Sequence, residues 1–168
     1  SLSQLGKKYD FDFYKPYILF TLHPTTLEKN MLNRQIKIVR KSLIESKMNV
    51  VFTYPNADPG YKKIIHFLNK FKNKKKYLIL KNAGVNLYAK LLRNAAFLFG
   101  NSSSGIVEAA SFNKPVINLG TRQKGKHIPQ NVINCDFNLK KILKCVSKAK
   151  SKKFYKKIKK LRNPYESK

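Results

Sequence analysis

The sequence predicts an α/β fold in which a parallel sheet is flanked by helices, and three observations support this. Short apolar runs alternate with amphipathic segments over about 120 residues of the chain. The runs are unbroken rather than alternating with polar residues, which is typical of strands covered on both faces. Polar and glycine-rich segments directly follow the runs, as expected where parallel strands end at one ligand-binding edge.

The predicted strands are short apolar runs, of which the last is the weakest. In chain order they are Tyr17–Leu22, Val50–Tyr54, Tyr77–Leu80, Ala95–Phe99, Pro115–Leu119 and Asn131–Asn134. Helices are predicted where apolar residues recur at steps of three and four, at 32–43, 64–71, 87–92, 106–110, 139–149 and 154–161. We therefore expect one domain over residues 1–168, with right-handed crossovers and C-terminal helices from about residue 138.

The composition is strongly basic. Lys and Arg number 36 against 8 Asp and Glu, a formal charge of +28, while 42% of residues are apolar, enough for a core. The charge favours an anionic partner: nucleic acid, a membrane surface, a phosphorylated ligand or an acidic protein domain. Lys is abundant throughout and Glu is scarce, so a compositional bias of the source explains the charge equally well. The basic segment 140–168 is more typical of solvated helix faces than of a polyanion-binding arm.

Several classes of site and location are disfavoured. Cys135 and Cys145 form no CxxC pair, so we expect reduced thiols and a reducing, cytoplasmic compartment. The histidines lack metal-ligand spacing, and we expect no metal and no cofactor. No apolar run approaches the roughly 20 residues of a membrane helix, and no signal-peptide pattern opens the chain. Because the chain begins without Met, a longer parent protein is expected.

Unusual polar and glycine residues follow each of the first five predicted strands. These turns are His23-Pro24-Thr25-Thr26, Pro55–Gly60, Asn82-Ala83-Gly84, Gly100–Gly105 and Gly120–Gly125. Since parallel strands end at the same edge of a sheet, the turns are predicted to converge on one crevice.

The turn Gly100-Asn101-Ser102-Ser103-Ser104-Gly105 is the most informative of them. Ser102 or Ser103 is predicted to cap the next helix, whose N-terminal amides and dipole favour a phosphate. Glu108 lies one turn further on and is suited to ribose hydroxyls. The alternative is a Ser-rich cap followed by a surface Glu.

Two further side chains are predicted to face this crevice. The planar fork of Arg122 suits bidentate phosphate contact, although a solvated loop Arg is the alternative. His23 ends the first strand, where it can hold a phosphate oxygen or exchange protons near neutral pH. His66 is expected to be solvated on a helix, and the role of His127 stays open.

Two catalytic motifs are only approximated. A nucleophile elbow needs glycine where Asn101 stands, two residues before Ser103. The fifth turn has Walker A spacing, but His127 replaces the Mg²⁺-binding hydroxyl and Pro129 stands where a helix should begin.

Taken together, the motifs closely resemble the hydrolysing UDP-N-acetylglucosamine 2-epimerases. The matching segments are Thr21–Thr26, Phe52–Gly60, Gly100–Ala109, Pro115–Gln123 and Asn163-Pro164-Tyr165. The resemblance implies the C-terminal half of a two-domain, GT-B-like epimerase, with a missing N-terminal domain as partner and a UDP-sugar as substrate. Whether copies of the chain form a homo-oligomer stays open.

The resemblance also implies roles for individual residues. Ser102 and Ser103 would bind the UDP diphosphate, Glu108 the ribose, and Arg122 and Asn56 the nucleotide sugar. The backbone near Ala83 would border the uracil, and His23 would act as a catalytic residue that supports departure of UDP.

The implied reaction eliminates UDP to give a 2-acetamidoglucal, which water converts to N-acetylmannosamine, as in sialic-acid pathways. The proton-transfer carboxylates would lie mainly in the absent half, so the isolated chain is expected to be inactive. Three alternatives remain: a related UDP-diacetamido sugar as substrate, a GT-B glycosyltransferase donor domain, and a nucleic-acid-binding protein. The last lacks any recognition motif.

Overall fold

The apolar runs form strands that are almost entirely buried. The computed structural model describes residues 1–25 and 30–166, so the predicted first-turn residue Thr26 lies outside the described part. The strands are β1 (Tyr17–Thr21), β2 (Asn49–Thr53), β3 (Tyr77–Leu80), β4 (Phe97–Gly100), β5 (Val116–Leu119) and β6 (Val132–Cys135). They form one sheet of order β3-β2-β1-β4-β5-β6, and every neighbouring pair is parallel. The predicted α/β fold with a parallel sheet is confirmed.

Among the described residues, one helix precedes β1, helices connect β1 through β5, and two helices follow β6. They are α1 (Leu2–Tyr9), α2 (Leu32–Glu45), α3 (Tyr61–Asn69), α4 (Gly84–Asn94), α5 (Ser104–Val107), α6 (Leu139–Ala149) and α7 (Lys152–Ile158). The apolar periodicity did not predict α1, which Ser1 and Gln4 stabilise through a capping box. The helix predicted at 106–110 is wrong in extent: α5 is a single turn, and a 3₁₀ turn follows at Ala109–Phe112.

Two apolar layers sandwich the sheet. One core joins side chains such as Phe20 and Phe52 to residues of α2, α3, α6 and α7. The other joins Leu19 and Val51 to residues near α1, α4 and the 3₁₀ turn. Successive strand residues therefore point into opposite cores, which explains why the runs in the sequence are unbroken.

The strand order reverses between β1 and β4, which are neighbours in the sheet although β2 and β3 lie between them in the chain. The chain leaves β1 toward β2 on one side and leaves β4 toward β5 on the other. The loops after these two strands therefore diverge and open a crevice at the carboxyl end of the sheet.

Candidate functional site

A cavity of about 740 Å³ lies at this carboxyl edge, beside the reversal of strand order. Four of the predicted site residues line it: His23, Asn56, Ser102 and Glu108. Ser103 and Arg122 do not line the cavity. Ser103 stands between the lining residues Ser102 and Ser104, and Arg122 contacts Asn101 and Asp58, which are not lining residues. The turns after β1, β2, β3 and β4 all contribute to the lining, whereas the turn after β5 does not.

Gly100 sets where the turn Gly100–Gly105, called the serine turn below, begins. Its φ is +139°, and a Cβ at this position would lie 1.8 Å from the carbonyl oxygen of Thr21. Directly afterwards, the amide of Asn101 donates a hydrogen bond to that same oxygen at 3.1 Å. Only glycine permits this contact of backbones, which brings the turn after β4 against the end of β1.

Asn101 joins three loops of the site although it is almost fully buried. Its side-chain oxygen accepts from the amide of His23 at 2.7 Å, and its Nδ2 donates to the His23 carbonyl at 2.9 Å. Its own carbonyl accepts from Arg122 Nη1 at 3.2 Å and from Gln123 Nε2 at 2.9 Å. The sequence analysis did not predict this role of Asn101, because hydrogen bonds to loops that are distant in the chain leave no pattern in a single sequence.

His23 is 6% exposed and is held in one tautomer. Its Nδ1 accepts a hydrogen bond from the Asn56 amide at 3.0 Å, so the proton of the neutral ring lies on Nε2. The pKa of His23 is lowered from 6.5 to about 4, chiefly by burial of the ring and in addition by the charge of Arg122, while Asp58 opposes the shift. A pKa this low favours the predicted role of His23 in holding a phosphate oxygen over the predicted alternative of proton exchange near neutral pH. The ring is a neutral hydrogen-bond donor.

Arg122 is held beside the crevice by two contacts. Besides the hydrogen bond to the Asn101 carbonyl, its Nη2 lies 3.9 Å from Asp58 Oδ2, and the Arg122 side chain is 24% exposed. An ion pair this long and this solvated is weak. The guanidinium is therefore available to an anion that binds next to Asn101.

The serine turn differs from a standard capped helix. Ser103 has helical backbone angles and its side chain makes no capping hydrogen bond, so the predicted cap by Ser103 is wrong. An N-cap needs an extended backbone to turn its side chain back to the helix amides. Ser102 Oγ instead lies 3.4 Å from the Ser104 amide. Within the described residues, the backbone amides of Ser102 and Ser103 donate no hydrogen bond.

Another wall of the cavity is formed by the turn after β3 and by α4. Ala83 lines the cavity, and the Gly84 amide donates to Asn82 Oδ1 at 2.9 Å, which fixes the start of α4. Tyr88, one turn into α4, also lines the cavity and bonds to Ser104 through its hydroxyl. In the sequence, Tyr88 falls within the helix predicted at 87–92 and carries no signal that marks it as a residue of the cavity.

The C-terminal segment closes another side of the cavity. Asn163 Nδ2 donates to the Val107 carbonyl and to Ser111 Oγ, both at 2.7 Å. The Tyr165 hydroxyl donates to the His127 carbonyl at 2.7 Å. The Asn-Pro-Tyr motif thus attaches the end of the chain to α5 and to the loop after β5.

Other residues considered from the sequence lie apart from the cavity. His66 is exposed on α3, as expected, and the side chain of His127 is exposed. Cys135 and Cys145 are free thiols. Within residues 1–25 and 30–166, no cluster of three His, Cys, Asp or Glu side chains is arranged to hold a metal ion. None of the helices described is both long and apolar enough to cross a membrane.

A family model described as UDP-N-acetylglucosamine 2-epimerase matches residues 2–168, nearly the whole chain. The chain belongs to this family. The epimerase resemblance carried by the five sequence motifs is therefore confirmed.

Curated relatives match the epimerase chain at moderate identity. A UDP-N-acetylglucosamine 2-epimerase of Neisseria meningitidis serogroup B is 31% identical over 149 residues, covering 89% of this chain and 39% of the relative. A GDP/UDP-N,N'-diacetylbacillosamine 2-epimerase (hydrolyzing) of Campylobacter jejuni is 36% identical over 137 residues, covering 80% and 36%. The chain thus spans about two fifths of the length of these relatives and corresponds to their C-terminal half.

Solved structures of epimerases share the fold. The S. aureus MnaA–UDP co-structure superposes with a TM-score of 0.71 at 16% identity, covering 97% of this chain and 43% of that one. The Methanocaldococcus jannaschii UDP-GlcNAc 2-epimerase in complex with UDP-GlcNAc and UDP gives a TM-score of 0.67 at 21% identity, covering 91% and 42%. The fold is that of one half of a GT-B-type epimerase.

Proposed function

We propose that the chain is the UDP-binding half of a hydrolysing UDP-N-acetylglucosamine 2-epimerase. The main support for this proposal is the cavity at the reversal of strand order, which is lined by His23, Asn56, Ser102 and Glu108. The match of the chain to the epimerase family gives the second support. The proposed reaction turns UDP-N-acetylglucosamine and water into N-acetylmannosamine and UDP. The enzyme would work in the cytoplasm and supply a sialic-acid type of pathway.

The proposed role of this half is to stabilise the diphosphate as it leaves. The bond between the anomeric carbon and the diphosphate oxygen breaks, a proton leaves C2, and the electron pair ends on UDP. Donors fixed around that developing charge lower the barrier. The candidate donors are the amides and hydroxyls of Ser102 and Ser103, the guanidinium of Arg122 and Nε2–H of His23.

His23 is suited to this role as a fixed neutral donor. The Asn56 amide occupies Nδ1, so only Nε2–H is free to meet a phosphate oxygen. The Asn101 side chain holds the His23 backbone on both sides, which sets the ring position before any ligand binds. A donor that needs no rearrangement at the moment of reaction is the kind that contributes most to catalysis.

We infer that the proton-transfer steps belong to the other half. Glu108 and Glu166 line the cavity and Asp58 faces Arg122. We assign Glu108 to the ribose, and the family resemblance assigns the carboxylates that act at C2 of the sugar mainly to the N-terminal half. The isolated chain is therefore proposed to bind UDP without turning over UDP-N-acetylglucosamine. Water addition to the 2-acetamidoglucal would likewise need the N-terminal half.

A UDP-diacetamido sugar is the second candidate substrate. It is favoured by the 36% identity to the C. jejuni enzyme, whose name specifies N,N'-diacetylbacillosamine. Both substrates share the UDP moiety, so the residues described here serve either. A glycosyltransferase donor domain would transfer the sugar to an acceptor, whereas an epimerase releases free sugar without one.

UDP binding to the 168-residue chain tests the nucleotide assignment. Arg122→Ala is expected to weaken UDP binding about tenfold, because a charge-assisted hydrogen bond is lost, and Ser103→Ala about threefold. Isothermal titration calorimetry measures both. Arg162→Ala and Ser147→Ala, which alter exposed residues of the same types, are the matched controls and should bind UDP like the wild type. Unchanged UDP affinity in both site variants would contradict the assignment.

A further inference from the structure

A series of hydroxyl groups crosses the cavity from the end of β2 to the serine turn. Its members all line the cavity: Thr53, Thr21, Tyr88, Ser104 and Ser102. Thr53 Oγ1 hydrogen-bonds to Thr21 Oγ1 at the β2 end of this series. The Tyr88 hydroxyl bonds to Ser104 Oγ, which lies 3.1 Å from Ser102 Oγ. Tyr88, Ser104 and Ser102 thus form a continuous chain of hydrogen-bonded hydroxyls that ends in the serine turn.

A chain of hydroxyls has two possible directions, because each group donates one proton and accepts others. In one direction Tyr88 donates to Ser104 and Ser104 donates to Ser102. The Ser102 proton is then left to point into the cavity. In the other direction Ser102 donates inward and presents only lone pairs to the cavity. A phosphate oxygen only accepts hydrogen bonds, so an anion at the serine turn selects the first direction.

Tyr88 is the first link of this chain. A tyrosine phenol is protonated at neutral pH, and burial raises the pKa of Tyr88 further, so its hydroxyl stays a donor. Donors and acceptors in a chain polarise one another, so the Ser102 hydroxyl gains strength from the groups behind it. Ser104 lies between Tyr88 and Ser102 in the chain of hydroxyls. Without the phenol, Ser104 receives no hydrogen bond from Tyr88 and cannot polarise the Ser102 hydroxyl in this way.

We propose that Tyr88 is a positioning residue that aligns the hydroxyl chain and turns the Ser102 hydroxyl toward a bound phosphoryl group. The inference rests on the proposed diphosphate site and adds a residue that does not itself need to touch the ligand. The alternative is that Tyr88 only packs as a side chain of the amphipathic helix α4. That role would require its ring but not its hydroxyl.

The test compares Tyr88→Phe with Tyr17→Phe in the full 168-residue chain. Tyr17 is also buried and its hydroxyl also donates to one acceptor, the Leu91 carbonyl, but it lies at the amino end of β1. Calorimetry at about 150 mM salt, which screens the surface lysines, measures binding of UDP and of pyrophosphate. Tyr88→Phe is expected to weaken both ligands about fivefold, and Tyr17→Phe neither.

A double-mutant cycle with Ser102→Ala separates positioning from general destabilisation. If Tyr88 acts through Ser102, Tyr88→Phe should cost no further affinity once the Ser102 hydroxyl is gone. If Tyr88→Phe does not fold by circular dichroism, Ser104→Ala interrupts the same chain at the next link and takes its place in the cycle.

Each outcome decides the matter. Wild-type affinity for both ligands in the Tyr88→Phe chain, or additive losses in the cycle, would overturn the inference. A loss for UDP alone, with pyrophosphate unchanged, would assign Tyr88 to the nucleoside and overturn it as well. If the wild type binds pyrophosphate but not UDP, the proposed function fails while the pyrophosphate cycle still tests Tyr88. If the wild type binds neither, both fall.

Discussion

Protonation of His23 is expected to destabilise the fold in a defined pH window. The pKa of His23 is about 4 in the folded chain against an ordinary value of 6.5, because the ring is buried and faces Arg122. Between these values the unfolded chain binds a proton that the folded chain does not. The free energy of unfolding therefore falls as the pH falls, by up to about 1.4 kcal/mol per pH unit.

The whole effect amounts to about 3 kcal/mol, which is the pKa difference converted to free energy. This stability is present above pH 6.5 and is lost as the pH approaches 4. The Asp58 carboxylate, which favours the charged ring, is already included in the shift. A loss of this size is a substantial part of the stability of an ordinary domain.

The assay is urea unfolding followed by circular dichroism at several pH values, since the chain contains no Trp. His23→Asn is the informative variant, because its side-chain oxygen can accept from the Asn56 amide but does not titrate. The difference between the two stability curves isolates His23 from the acids that titrate below pH 5. His66→Asn, at an exposed position on α3, should follow the wild type. Parallel curves for wild type and His23→Asn from pH 6.5 to 4 would refute the reasoning.

Two further predictions concern the turn after β4 and the catalytic competence of the chain. Gly100→Ala should lower the unfolding free energy by more than about 4 kcal/mol, because the new Cβ meets the Thr21 carbonyl. Gly125→Ala, also at positive φ but with no atom within 4 Å, should cost only about 1 kcal/mol, and equal losses in urea unfolding would count against the backbone contact. The isolated chain should release no N-acetylmannosamine from UDP-N-acetylglucosamine by chromatography, whereas a fusion to an epimerase N-terminal half should. Turnover by the chain alone would show that its own carboxylates suffice.

The strands were predictable because burial on both faces leaves a signal in every residue of a run. Tyr17–Thr21 and Phe97–Gly100 are buried throughout, and both appear in the sequence as unbroken apolar segments. Helix α1 escaped prediction because it is short, contains Gly6 and is fixed largely by its cap. Helix α5 was overestimated because Ile106 and Ala110 fit a helical period that the 3₁₀ turn also satisfies.

The position of the candidate site was predictable, whereas its internal arrangement was not. Parallel strands end at one edge, so His23 and Ser102 could be placed together from the order of the runs alone. The charge state of His23 depends on burial and on Arg122, and neither follows from the local sequence. The roles of Asn101 and Tyr88 depend on contacts between loops distant in the chain, which only the packed structure reveals.

The reversal of strand order has a consequence for how the molecule opens. The sheet consists of two three-stranded leaves, and among the described strands only the pairing of β1 with β4 joins them. The cavity lies over this seam, with His23 on one leaf and Ser102 on the other. A ligand that binds residues of both leaves links them across the seam. The two leaves can then separate only after the ligand dissociates. Occupancy should therefore slow hydrogen exchange of the β1 and β4 amides together, and the free energy of opening should rise with the logarithm of ligand concentration once the ligand exceeds its Kd.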